Sequence, residues 1–269
     1  MFDLPLFLDT VAAKLGKKLG ANNNQERAVI ADKSASLFLV AGPGSGKTTV
    51  LTLRVLKLVF VDGVDPATIL ATTFTRRAAD ELRSRILGWG DSLRGELLAR
   101  ATSAQQDWLK KLDLNRIFTG TLDSIAEQVL LDFRSAGMQP PVVLDEFIGR
   151  ALMFREGVLG TGAWGNSALK AYLETLCDDD DVRTHRIGGL ASEIRQRLIH
   201  DRADRTCFRA AQPAEVNDLF EVIEAYERCL DDLQVLDFAL LEQIFYQRLQ
   251  DGSLSRFTQP LHTVLVDEY

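Results

Sequence analysis

Ala41-Gly42-Pro43-Gly44-Ser45-Gly46-Lys47-Thr48 places three glycines, a lysine and two hydroxyls within eight residues. Glycine lets a backbone turn so that several N–H groups point at one spot, the arrangement that cradles phosphate. A helix N-terminus directly behind such a loop adds a favourable dipole. Lys47 supplies a mobile cation for β- and γ-phosphates, the Thr48 hydroxyl can ligate Mg²⁺, and Thr49 continues into the first helical turn. The pattern predicts a site for a nucleoside triphosphate and Mg²⁺, with Lys47 acting on the reacting phosphate and Ala41 standing where glycine is also used.

Magnesium-assisted phosphoryl chemistry also needs an acidic pair at the end of a neighbouring strand. Two segments have that form: Val142-Val143-Leu144-Asp145-Glu146-Phe147 and Val264-Leu265-Val266-Asp267-Glu268-Tyr269. The first follows Pro140-Pro141, and its acids suit the start of a helix. The second ends a clean apolar strand, which selects Asp267 and Glu268. Asp267 would hold Mg²⁺ through water, and Glu268 would orient and deprotonate the attacking water.

The elements that must position these groups alternate. Ser36–Ala41 reads as a buried strand, and 46–60 has helical spacing, with Val50, Leu51, Val55, Leu58 and Val59 on one side. Residues 68–73 read as a second strand, and Thr75 caps a helix reaching about Leu87, with Glu81 and Arg85 as an i,i+4 pair. Strands at 116–119 and 263–266 fit the same sheet. The expected class is α/β, a parallel sheet covered by helices. Roughly 140 residues between the last two strands carry helical patterns alone, at 121–133, 145–155, 168–176, 190–198, 214–233 and 238–249. Gly157 to Gly165 and the acidic run Asp178 to Asp181 read as loops. The expected organisation is 1–133 as the first part of a nucleotide-binding domain, 134–258 as an inserted all-helical subdomain, and 259–269 as the return to the sheet.

Composition restricts the classes. Hydrophobic residues at 46% and charged residues at 26% are those of a soluble globular chain. The longest apolar stretch, 50–61, is interrupted by Arg54 and Lys57, so no membrane span is expected. Cys177, Cys207 and Cys229 lack metal-site spacing, and scattered free thiols point to a reducing, cytoplasmic compartment. A net charge of −7 argues against a broadly basic nucleic-acid binder but leaves a local groove open.

The order of segments resembles the first half of the motor of UvrD/Rep-type superfamily-1 DNA helicases, a P-loop NTPase (RecA-like) fold. The resemblance covers most of 20–135 and 235–269. Asn22 to Val29 is similar to that family's LNxxQxxAV segment, which implies that Gln25 hydrogen-bonds the adenine edge and selects ATP. Taken alone, an Asn-rich helix cap explains the Gln25 segment equally well. Thr72 to Leu82 is similar to TFTNKAAxEM. It implies that Phe74 stacks on a base of single-stranded DNA, with Thr75 and Arg77 near the backbone; the lesser alternative is Phe74 as a core residue at a strand end. Thr119 to Ser124 aligns with GTFHS and implies backbone contacts by Thr121 and Ser124. Leu122 and Asp123 depart from the aromatic and the histidine of that motif, and the role of Asp123 stays open. Val235 to Leu241 resembles the DFDDLL helix that precedes the acidic strand and supports Asp267 over Asp145. The helical block corresponds to subdomain 1B, where seven arginines against three acids between Arg183 and Arg209 either meet duplex DNA or form a solvated face.

The resemblance implies an ATP-dependent 3′–5′ DNA helicase or translocase, in DNA repair settings, acting on single-stranded DNA and single/double-strand junctions. The sequence ends inside the family's DExQD motif, so a fragment without the second RecA-like domain, inactive alone and needing that domain or a partner subunit, is expected. Two alternatives are a helicase subunit of a RecB/AddA-like helicase–nuclease and a non-unwinding nucleic-acid-sensing ATPase of a defence system.

Overall fold

The computed structural model describes residues 1–19, 23–42, 44–134, 137, 139–176, 184–212 and 216–267. The expectations placed on Asn22, Pro43, Cys177, the Asp178–Asp181 run, Arg183 and Glu268 lie outside these residues. The chain forms two compact units, one of residues 1–125 and 256–269 and the other of residues 126–255.

The first unit is built on a three-stranded parallel sheet. Its strands are β1 (Ile69–Thr73), β2 (Phe118–Thr121) and β3 (Thr263–Val266), in the order β2-β1-β3. The register pairs Thr73 with Thr121 and Thr72 with Val266, so all three strands end on one side. Both shifted starts have a local cause. Asp65 accepts from the Ala67 amide and Asp113 from the Asn115 amide, winding 66–68 and 114–116 into 3₁₀ turns just before β1 and β2.

Helices α1 (Leu4–Leu15), α2 (Asn23–Ile30), α3 (Lys47–Phe60), α4 (Arg76–Leu98) and α5 (Ser103–Lys111) surround the sheet's core. Thr75 caps α4 by accepting from the Ala78 amide, and Thr102 and Gln105 form a reciprocal capping box on α5. The expected Glu81–Arg85 pair forms on α4. That helix runs eleven residues past the expected end because Ile86, Leu93 and Leu97 continue its buried stripe. Helix α3 is not one-sided: every residue from Val50 to Phe60 is buried, including Arg54 and Lys57.

One expected strand is absent. Residues 36–41 form no ladder with any described strand, and Phe38 and Val40 are 82% and 86% exposed. An apolar, β-branched run reads as a strand by composition, but a strand exists only where a neighbour takes up its backbone groups. Here β3 is the edge on that flank of the order, with Val264 and Val266 exposed.

The second unit is helical among its described residues, apart from a single parallel bridge between Val143 and Leu236. After α6 (Leu122–Asp132) come α7 (Glu146–Leu152), α8 (Ser167–Leu176), α9 (Thr184–His200), α10 (Arg205–Ala210), α11 (Asn217–Leu233) and α12 (Phe238–Gln250), and α13 (Ser255–Thr258) then returns the chain to the first unit. Part of the expected 157–165 loop is instead helical: 153–159 widens into a π-turn and 163–165 tightens into a 3₁₀ turn. The core gathers Leu152, Val158, Leu169, Ile187, Phe220 and Ile223. No described helix is long and apolar enough to cross a membrane.

Candidate functional site

The glycine-rich loop leads into α3. Gly44 and Gly46 adopt φ of 73° and 86°, the left-handed region that a Cβ disfavours, so both glycines are needed for the turn. The Ser45 hydroxyl and amide both donate to Gly42 O, at 2.7 and 3.3 Å, closing the loop on itself. Lys47 Nζ donates to Ala41 O (3.0 Å) and Gly42 O (3.3 Å), which holds the ammonium against the start of the loop. Ala41 and Gly42 thus serve as acceptors, and Thr49 lies in the first turn of α3.

Two further elements converge on this loop. From α2, Gln25 Nε2 donates to Ser45 O at 2.8 Å. A Cβ built on Gly46 would come within 3.2 Å of the same Nε2, so the loop and the amide are in close approach. From the end of β3, the Asp267 carboxylate accepts from the Thr48 hydroxyl at 2.8 Å, across 219 residues of sequence. Asp267 is 6% exposed, and its amide donates to Thr72 O on β1 at 2.8 Å, fixing the carboxylate to the sheet. Beside it, the Thr72 hydroxyl is buried without a partner among the described residues.

A cleft of about 200 Å³ lies over the loop, lined by Asn24, Gln25, Ala28, Leu39, Val40, Ala41, Ser45, Lys47 and Val50. Sequence reasoning missed its apolar wall, Ala28, Leu39 and Val50. The available signal was position: Ala28 follows Gln25, and Val50 follows Lys47, by one helical turn. The residues fit the groups expected of them. A lysine ammonium held by loop carbonyls, loop amides at a helix N-terminus and an apolar wall suit a nucleotide, and a hydroxyl paired with a carboxylate suits a hard divalent cation.

The other acidic candidate is placed differently. Asp145 caps α7 by accepting from the Ile148 amide at 2.8 Å, and Glu146 pairs with Arg150 one turn later.

At the neighbouring strand ends, Phe74 follows β1 and is 81% exposed. Thr75 and Arg77 are exposed next to it. Leu122 follows β2 and is 54% exposed, one register position beyond the Thr73–Thr121 pair. Thr121 is buried, and its hydroxyl accepts from the Ser124 amide at 3.2 Å, which starts α6. Ser124 Oγ donates back to Thr121 O at 2.9 Å, while the residue as a whole is exposed. The structure therefore places Phe74, Thr75, Arg77, Thr121 and Ser124 at the carboxyl ends of adjacent strands, where open α/β sheets present ligand sites.

The arginine-rich stretch is largely engaged inside its own unit. Arg195 is buried, donating to Glu227 (3.0 Å) and Asp237 (2.6 Å) with its guanidinium 5.3 Å from the Tyr226 ring. Arg205 makes two bonds to Glu227, Arg209 pairs with Glu224, and Arg197 pairs with Asp201. Arg202 stacks on Tyr246 at 4.4 Å. Burial pushes the Tyr226 phenol well above its ordinary value, and the charge of Asp237 adds to this. Burial alone would raise Glu227 as well, but the bonds and charges of Arg205 and Arg195 outweigh it and hold the carboxyl below its usual range. Arginines already matched to carboxylates have little left for a phosphate backbone.

Comparison with known proteins adds a second line of observation. The family profile described as UvrD/REP helicase N-terminal domain matches residues 21–269. The ATP-dependent DNA helicase PcrA of Leuconostoc citreum is 30% identical over 252 residues, covering 93% of this chain and 29% of PcrA. The ATP-dependent DNA helicase SRS2 of Saccharomyces cerevisiae is 33% identical over 112 residues, 42% of this chain and 8% of SRS2. DNA helicase II of Escherichia coli K12 is 43% identical over 68 residues, 25% of this chain and 9% of that protein. The chain therefore spans under a third of the length of each of these relatives. The two alternatives, a helicase–nuclease subunit and a non-unwinding sensor, gain no support from them.

Proposed function

The chain belongs to the UvrD/REP helicase family, and from that premise we propose that it is the ATP-binding motor domain of an ATP-dependent 3′–5′ DNA helicase or translocase. The observation that carries the nucleotide reading is the convergence of three elements on one loop. Lys47 is bonded to Ala41 O and Gly42 O, Gln25 is bonded to Ser45 O, and Thr48 is bonded to Asp267.

In this reading Gln25 selects adenine while Ala28 and Val50 pack against the base, and the loop amides with Lys47 hold the phosphates. Thr48 and Asp267 hold Mg²⁺, which when bound neutralises charge on the β- and γ-phosphates. Glu268 follows Asp267 directly and is the proposed base for water. Single-stranded DNA crosses the strand ends, with Phe74 against a base, Thr75 and Arg77 beside the backbone, and Thr121 and Ser124 at the adjoining strand end. The exposure of Phe74 supports stacking over the core reading. A single/double-strand junction is the proposed substrate, and residues 126–255 the counterpart of the inserted subdomain 1B.

The test measures ATP affinity with Mg²⁺ and with EDTA in the wild type and in Thr48→Val, which keeps the shape and removes the hydroxyl. The expected result is an affinity gain from Mg²⁺ in the wild type that is lost in Thr48→Val, with metal-free affinity unchanged. A variant that responds to Mg²⁺ as the wild type does refutes the assignment.

A further inference from the structure

Arg54 and Lys57 interrupt the most apolar segment of the sequence, and the fold buries both, at 6% and 4% exposure. A buried cation is costly unless its donors are met, so what meets them is informative. Arg54 Nη1 donates to Val29 O (3.2 Å) and to Ala31 O, and Nη2 donates to Asp32 O (2.5 Å). Lys57 Nζ donates to Ala31 O (3.1 Å) and is neutralised by the Asp62 carboxylate at 2.7 and 2.9 Å. Three of the five hydrogen-bond acceptors are thus main-chain carbonyls at the end of α2 and just past it.

The last carbonyls of a helix have no partner within it and carry its negative dipole end, so two cations there satisfy both needs. The cations come from α3, the helix that opens with Lys47 and Thr48. The other end of α2 is tied to the same machinery, since Gln25 donates to Ser45 O of the loop. Helix α2 is therefore pinned twice to one rigid body: by Gln25 at the loop, and by Arg54 and Lys57 two to three turns along α3.

We propose that Arg54 and Lys57 are positioning residues for base selection, clamping the carboxyl end of α2 to α3 so that Gln25 is held at the edge of the nucleotide cleft. The proposal rests on the adenine-reading role given to Gln25 above. It separates two tasks within one site. Phosphate binding belongs to the loop and Lys47 and does not need α2, whereas discrimination between bases does.

The experiment compares Mg²⁺-dependent binding of ATP, GTP and inorganic tripolyphosphate by the wild type, Gln25→Ala, Arg54→Met and Arg54→Lys, with hydrogen exchange of residues 23–32. Arg54→Met keeps an unbranched apolar stem and removes the donors. It should lower the preference for ATP over GTP about two- to tenfold, the worth of one positioned hydrogen bond, and leave tripolyphosphate affinity within about twofold. Exchange across 23–32 should accelerate while that of α3 does not, and Arg54→Lys should recover part of both effects. Equal losses for all three ligands would show a merely structural role and overturn the proposal, as would an unchanged ATP preference or unchanged protection of α2. A wild type with no preference, or one that survives Gln25→Ala, would refute the role of Gln25 itself and the proposal with it. A preference present in the wild type, lost in Gln25→Ala and retained in Arg54→Met refutes the clamp alone.

Discussion

Arg195→Ala probes the ion network that organises the helical unit. At 2% exposure Arg195 joins Glu227 and Asp237 and stacks on Tyr226. Removing one partner of a buried pair costs about 3–5 kcal/mol when the remaining charge is stranded. Neither carboxylate is stranded here. Glu227 keeps Arg205 at 2.6 and 2.7 Å, and Asp237 keeps the Tyr226 hydroxyl at 3.1 Å and the Leu240 amide at 3.0 Å. The cost should therefore fall at the lower end, about 3 kcal/mol, or roughly 150-fold in an opening equilibrium. Arg195→Met retains packing volume and should cost less. Native-state hydrogen exchange of α9 and α11, corrected for intrinsic rates, reads the effect without requiring the whole chain to unfold in one step. The network also predicts a pH dependence. The Glu227 carboxyl is held below its ordinary value of 4.5, so its contribution is present above that value and is lost as pH falls through the lower, folded one. Protection of α9 and α11 should be flat near neutrality and decline on acidification. An Arg195→Ala chain that exchanges within about 0.5 kcal/mol of the wild type would refute the reasoning, because so small a change is that of a surface site.

Phe74→Ala should weaken binding of a single-stranded oligonucleotide by about 1–3 kcal/mol, read by fluorescence anisotropy, with no loss of stability because the ring is already exposed. Unchanged binding would leave Phe74 without a base to stack on. Gly90→Ala should destabilise the first unit by about 1–3 kcal/mol in urea unfolding, because the added Cβ would meet Leu114 Cδ1 at 2.2 Å and Leu56 Cδ2 at 3.3 Å in the core. The general gain in helix propensity from glycine to alanine, about 1 kcal/mol, works against this, so a stabilised variant would mean that Leu114 relaxes freely.

Much of the first unit was legible because its signals are local. The glycines that need positive φ, the cap at Thr75 and the apolar strand 263–266 each act over a few residues. What failed depended on distant partners. The run 36–41 has strand composition and no ladder, and nothing within it reports whether a neighbour takes up its amides. Arg54 and Lys57 looked like a polar interruption of an apolar helix. Their burial follows from α2 presenting carbonyls to them, which spacing along α3 cannot show. The arginines between 183 and 209 read as a charged face because the carboxylates that engage several of them, Glu224, Glu227 and Asp237, lie outside that stretch of sequence. At the site, the choice of Asp267 rested on the apolar strand before it and on the resemblance carried by Val235 to Leu241. The structure adds the contact with Thr48, which no local pattern encodes.

The most direct test of the central claim is nucleotide affinity in Lys47→Ala, measured by calorimetry with ATP and Mg²⁺ on the same chain. Lys47 is the cation at the loop, and a hydrogen bond to a charged group is worth about 1.5–3 kcal/mol, so affinity should fall roughly 10- to 150-fold while the fold persists. Equal affinity in wild type and variant would contradict the account, because the loop would then hold no phosphate where the geometry places it.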